Sequence, residues 1–308
     1  MRTRRARLAV VVAPALAAGL LVVATGPGTA TASTARAAST ARTASTARTA
    51  STESTASTES TASTASTEST ESTAARPTDF LLAGGHGPAN SLDWAGYAVT
   101  GATLNSAAGT WVQPVASCSG NKPSQSAFWV GIDGYASSDP TVQQVGTDAD
   151  CTKGNKKSPS VASYYAWYEM YPDSIVTLDT AGHGVYPGDT LNASVSGSGS
   201  TFTLTLTDVG RWTFSTVQVT PVPPLDASAE WIAEAPTTCK GSKCKAVSLA
   251  DFGTVAFTGA SANGMPVNSA SFSNHQITMT KNKKGTIVKA SVSALTGGNA
   301  FTVTWLSI

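Results

Sequence analysis

The sequence predicts an all-β protein, a sandwich of two packed antiparallel sheets, on three observations. Short alternating segments rich in β-branched and aromatic residues recur from residue 94 onward. Gly, Asn, Asp or Pro separates them, and no stretch shows the 3.6-residue apolar period of an amphipathic helix. The 22 aromatic residues of the 308-residue chain (eight Phe, seven Tyr, seven Trp) all lie at or beyond Phe80. Residues 77–308 are therefore expected to form one domain with a sizeable core, whereas the preceding residues carry too little apolar bulk to build one.

The N-terminus reads as an address. Arg2, Arg4, Arg5 and Arg7 precede the apolar run Leu8–Ala24, and Ala30-Thr31-Ala32 supplies a small-residue exit. That order describes a secretory signal peptide over residues 1–32. A membrane anchor is the competing reading, but the run is short and rich in Ala. Residues 33–76 follow as a Ser/Thr/Ala-rich tether or pro-segment, expected to be disordered; 24 of the 43 positions 33–75 are Ser or Thr. Such a segment buries too little apolar surface to offset its ordering entropy. The exported protein should keep no membrane anchor after processing.

Charge excludes one class of partner. Residues 1–76 hold eight Arg against four Glu, and residues 77–308 hold 12 Lys/Arg against 15 Asp/Glu. A sparsely charged, slightly acidic domain does not suit nucleic acid, which demands clustered cations.

Fourteen strands are expected. They are Trp94–Thr100, Gly109–Val115, Ala127–Ile132, Thr141–Thr147, Tyr164–Tyr171, Ile175–Leu178, Thr190–Val195, Thr201–Thr207, Arg211–Val219, Ala229–Glu234, Thr254–Thr258, Gln276–Thr280, Thr286–Val292 and Phe301–Leu306. So many antiparallel strands twist too strongly for one open sheet, and two packed layers are the natural solution. The four cysteines, an even number in an exported chain, point to two disulfides. Cys239 and Cys244 flank a hairpin tip, Lys240–Lys243, which leaves Cys118 with Cys151. A zinc site is the weaker alternative, because paired ligand spacing is missing.

Familiar catalytic motifs are absent from the sequence: there is no G-x-S-x-G and no H-E-x-x-H. His86, His183 and His275 have no setting that suggests a Ser-His-Asp triad, Asp179–Gly182 reads as a turn, and Lys281–Lys284 as a solvated charge cluster. What stands out is polar residues inside aromatic strands. Period-two geometry puts Tyr165, Trp167, Glu169 and Tyr171 on one face, Glu230, Ile232 and Glu234 on another, and Gln144 with Val142 and Gly146. A carboxylate between Trp and Tyr is costly to bury without partners. Together these positions suggest an aromatic-walled groove containing Gln and Glu.

Six segments, in order, resemble the glutamic peptidases (eqolisins): Trp94-Ala95-Gly96, Gly109–Pro114, Trp129–Gly134, Gln144-Val145-Gly146, Tyr165–Pro172 and Ala229–Glu234. The resemblance spans essentially the whole folded domain. It implies a concanavalin-like sandwich of two seven-stranded sheets and an exported endopeptidase acting on protein or peptide substrates. Its catalytic pair would be Gln144 and Glu230, and Gln143 would point to the opposite face. Asp133 and Glu169 would orient the pair, and Trp94, Trp129, Tyr165, Trp167 and Tyr171 would wall the substrate cleft. Glu234, nearer the strand end, is expected to be solvated. Such a pair needs no His, metal or organic cofactor, so activity should persist in acid, and nothing in the sequence demands an oligomer. A lectin-like binding module and, less strongly, a glycosidase with paired carboxylates are the competing functions.

Overall fold

A computed structural model describes residues 89–119, 122–155, 158–240, 243–282 and 284–308, and the expectations for residues 1–88 lie outside them. Every described regular element is a strand. In chain order these are β1 (Ala89–Ser91), β2 (Trp94–Thr100), β3 (Ser106–Val112), β4 (Ala127–Ile132), β5 (Val142–Cys151) and β6 (Ala162–Tyr171). Next come β7 (Val176–Thr177), β8 (Thr190–Ser198), β9 (Thr201–Asp208), β10 (Trp212–Val219), β11 (Ser228–Glu234), β12 (Thr237–Lys240) and β13 (Lys243–Ala246). The last are β14 (Thr254–Ala262), β15 (Met265–Pro266), β16 (Ser273–Thr280), β17 (Val288–Val292) and β18 (Phe301–Trp305).

Hydrogen bonding runs in one path, β10-β9-β8-β3-β14-β18-β17-β16-β2-β11-β4-β5-β6-β7, with β1 beside β16, β15 beside β14, and β12–β13 a separate hairpin. All pairs are antiparallel along that path. The sequence suggested two separate sheets, whereas here the layers are joined where β16 meets β17. That seam is short and its register shifts between Met279 and Thr280, the kind of irregularity that lets a sheet bend sharply. The path thereby folds over, so that β3, β8 and β9 face β4, β5 and β11.

The alternation in sequence decides what each face meets. Inward residues such as Val130, Val145, Trp231, Leu204 and Phe257 form the large core between the layers. Trp231 crosses that core to donate its indole N–H to the Ala108 carbonyl at 2.7 Å. Gly109 leaves room for the ring, since a Cβ there would stand 2.7 Å from Trp231 Cδ1. On the opposite face of the β2-β11-β4-β5-β6 limb, Trp94, Trp129, Trp167, Tyr135, Ile232 and Ile277 belong to a second, smaller apolar cluster. Cys118 and Cys151 are joined. Cys239 and Cys244 face each other in the β12–β13 register, and their side chains lie outside the described residues.

Gly96 shows how tightly the β2–β11 pair is drawn. Its φ is +154°, and a Cβ would fall 2.0 Å from the Trp231 carbonyl oxygen. Gly96→Ala is expected to destabilise the domain by about 3–5 kcal/mol, because neither backbone can yield without breaking the ladder. Urea denaturation measures this, and an unchanged midpoint would contradict the tight pairing.

Candidate active site

The second apolar cluster forms the floor of a cleft. Gln144 and Asp148 come from β5, and Tyr165, Trp167, Glu169 and Tyr171 from β6. Trp94 opens β2, Glu234 ends β11, and Ile175, Thr177 and Pro236–Thr238 complete a cleft of about 930 Å³, its open side included. Alternation puts the β6 row there: Ala166, Tyr168 and Met170 pack inward, leaving the residues between them to face the cleft.

The register sets Glu230, Gly131, Gln144 and Glu169 in one row across β11, β4, β5 and β6. Gln144 Nε2 donates to Glu169 Oε2. Gln144 Oε1 and Glu169 Oε1 are buried without a hydrogen-bond partner among the described residues, so the row holds acceptors turned toward whatever occupies the cleft. Burial pushes Glu169 up to about 7, against the lowering effect of the Gln144 N–H.

Gly131 alone separates Glu230 from Gln144 in this row, and a Cβ there would stand 3.0 Å from Cζ3 of the Trp129 indole and 3.2 Å from Gln144 Cβ. Asp133 and Asp139 of the segment 133–141 lie near enough to Glu230 to act on its charge. Tyr135 lies in its field and stacks on His275 with ring centroids 4.9 Å apart. Glu230 is 0 % exposed. Ser228 is near enough to favour its charged form, yet neither carboxyl oxygen makes a well-formed hydrogen bond. Burial, followed by the nearby Asp133 and Asp139, holds its carboxyl well above the usual range.

Glu234, four residues further along the same face, lines the cleft level with Ala127, Asp148 and Tyr165. It is half-buried rather than solvated, because β11 ends at the cleft wall and Trp129 Nε1 donates to its Oε2 at 2.7 Å. Burial, then the charge of Asp93, pushes its carboxyl well above the usual range, while the Trp129 N–H pulls the other way.

Asp133 follows β4 with a left-handed φ of 67°. Its Oδ2 accepts the N–H groups of Leu225 (3.0 Å) and Asp226 (3.2 Å), and its Oδ1 that of Ala227 (2.8 Å). It thereby anchors the segment leading into β11, and its charge acts on Glu230.

Sequence reasoning missed Asp148. It is 3 % exposed and accepts the Trp167 indole N–H at 2.6 Å and the Tyr165 hydroxyl at 2.9 Å. The same hydroxyl lies 3.1 Å from Asp150 Oδ2, which also takes Gln125 Nε2 at 2.9 Å. One phenolic proton cannot serve two carboxylates, and burial together with Asp150 raises Asp148 well above its ordinary value. Its position was available from the alternation Gln144, Gly146, Asp148. None of the cleft-lining residues is Lys or Arg, and among the described residues no cluster suited to a metal ion is found.

A folded-over β-sheet with a carboxyl-rich, aromatic cleft and a buried amide is the architecture of a hydrolase that works through acid–base groups. The model of the peptidase A4 family matches residues 92–305. The chain belongs to that family and is a peptide hydrolase. Among solved structures, scytalido-glutamic peptidase bound to a transition-state analogue inhibitor aligns with a TM-score of 0.56 at 24% identity, covering 70% of this chain and 98% of that one. A second complex, with a peptide-based transition-state analogue, gives 0.54 at 22% over the same shares. SCP-B, a member of the eqolisin family bound to the tripeptide Ala-Ile-His, gives 0.52 at 22%, again covering 70% and 98%. These likenesses carry the sandwich fold. No curated protein matches the sequence.

Proposed function

We propose that this protein is a secreted glutamic endopeptidase, exported by a cleaved signal over residues 1–32, that hydrolyses peptide bonds at mildly acidic pH through Gln144 and Glu230. The observation that carries this reading is the register: Glu230 and Gln144 stand in one row with Gly131 alone between them, whereas Glu234 is level with Asp148, beyond the row of Trp129 and Trp167.

In this scheme ionised Glu230 holds a water between itself and Gln144 and takes one of its protons as the oxygen attacks the substrate carbonyl. One Gln144 N–H is committed to Glu169; the other donates to the oxyanion of the tetrahedral intermediate. Glu230 then returns the proton to the amide nitrogen, the C–N bond breaks, and an acid and an amine leave. Glu169 fixes the Gln144 amide, and Trp94, Trp129, Tyr165, Trp167 and Tyr171 flank the peptide. The scheme calls for no metal or organic cofactor and for one copy of the chain.

The raised carboxyls place the working range. Below it, Glu230 is protonated and cannot act as base. As pH passes about 7, where Glu169 ionises, charge accumulates in a cleft lined by no cation, and activity should fall. Digestion of an acid-denatured protein over a pH series, with pepstatin present and any pro-segment removed, tests the reading. Pepstatin-resistant cleavage confined to the acidic side is expected. No cleavage at any pH, with oligosaccharide bound instead, would point to a binding module.

A further inference from the structure

We infer that Asp148, Tyr165 and Asp150 hold one carboxyl proton in common, and that this proton keeps the cleft wall in the form that binds peptide, so that the two aspartates are positioning residues for substrate. The inference rests on the reading of the cleft as a peptide-binding site. Asp148 and Asp150 stand two residues apart on β5, and Tyr165 of β6 faces Asp148 across the ladder. The phenolic oxygen lies 2.9 Å from Asp148 Oδ2 and 3.1 Å from Asp150 Oδ2. Each of these links needs a hydrogen between its oxygens, and the phenol has one to give. The second hydrogen must sit on a carboxyl group, because two bare carboxylates at these distances would leave one link with acceptors alone.

The neighbours decide which carboxyl carries it. Asp150 Oδ2 already accepts Gln125 Nε2 at 2.9 Å, as a carboxylate does. Asp148 is 3 % exposed, and its Oδ1 accepts the Trp167 indole N–H at 2.6 Å. That leaves Asp148 Oδ2 to carry the proton and donate to the phenol, which donates in turn to Asp150. Around Asp148 stand Asp150 from β5, Tyr165 and Glu169 from β6, and Glu234 from β11, and no Lys or Arg lines the cleft. Burial, then the Asp150 charge, supports the proton on Asp148, and burial with both aspartates keeps the phenol protonated. Loss of the shared proton puts two charges at one hydroxyl that can serve only one of them. Tyr165 must then release an aspartate, and Asp148 is the one that also holds Trp167. Both rings that flank the peptide thereby lose their fixed setting.

The test is KM and kcat for one peptide, from acid to neutrality, in wild type, Asp148→Asn, Asp150→Asn and Tyr165→Phe. In wild type KM should climb by up to about tenfold per pH unit once the shared proton is lost, because the protonated cleft is the form that binds. Asp148→Asn gives the phenol a permanent N–H and Trp167 a carbonyl, so its KM should stay near the acid value throughout. Asp150→Asn should flatten KM in the same way, since removing either charge removes the need for the proton. In both, the pH profile of kcat should keep its wild-type shape. Tyr165→Phe breaks both links and should raise KM even in acid. A wild-type KM that ignores pH, or Asn variants whose KM climbs as steeply as that of wild type, overturns the inference. A wild type that cleaves no peptide at any pH overturns the underlying reading instead. Carboxyl 13C titration of the wild type then decides on the proton, as it does if the Asn variants fail to fold. Two widely separated ionisations of the pair support it, and two ionisations both at about 3.9 refute it.

Discussion

Glu230→Gln is expected to lower kcat/KM by about 10³-fold, near the middle of what a positioned acid–base group contributes. Glutamine keeps the volume of Glu230, so the sheet around it retains its shape. What it lacks is the ability to take a proton from water and return it to the leaving amine. The loss should fall mainly on kcat, because substrate contacts along Trp94, Tyr165, Trp167 and Tyr171 are untouched. Thermal stability should hold or rise: the replaced carboxyl is raised by burial and by Asp133 and Asp139, an environment that disfavours its charge. A loss confined to KM would mean that Glu230 only binds substrate.

Glu234→Gln should cost far less turnover and change the response of stability to pH. The folded state holds Glu234 protonated well above the ordinary carboxylate value, whereas in the unfolded chain it ionises at about 4.3. Between those values the folded state binds more protons, so stability must fall as pH rises through that window, by at most about 1.4 kcal/mol per pH unit for each such group. Below the unfolded value the effect vanishes. Asp148 and Glu230 act in the same direction, as do Glu169, raised to about 7, and Asp139, raised to about 6. Wild type should therefore be most stable in acid and weaken toward neutrality. Glu234→Gln should flatten that decline by one carboxyl's share in urea midpoints measured across the series. An unchanged slope would show that Glu234 ionises as freely folded as unfolded.

The strands were legible because period-two alternation and turn residues are local properties. All fourteen expected segments overlap a strand, two of them, Trp94–Thr100 and Ala127–Ile132, with identical bounds. Those missed are short. β1 is Ala-Asn-Ser, without β-branched or aromatic residues, and owes its strand geometry to parallel pairing with Ile277–Met279 of β16. The continuity of the sheet was hidden for a similar reason: it depends on a few residues at the β16–β17 seam that no periodicity marks.

The aromatic row of β6 and its Glu169 could be read from alternation alone. The rows across the sheet could not, since alternation puts Glu230 and Glu234 on one face and only the long-range pairing sets the first level with Gln144 and the second level with Asp148. The grip of Asp133 on the N–H groups of Leu225, Asp226 and Ala227 is likewise a long-range fact that its place after β4 does not reveal.

The most direct test is the ratio of single-turnover cleavage rates of Glu230→Gln and Glu234→Gln on one peptide in mild acid, both variants first shown to be folded. A ratio of at least about 10² in favour of Glu234→Gln is the predicted result. The reverse order, with Glu230→Gln cleaving at nearly the wild-type rate, would contradict it and move catalysis to the glutamate at the end of β11.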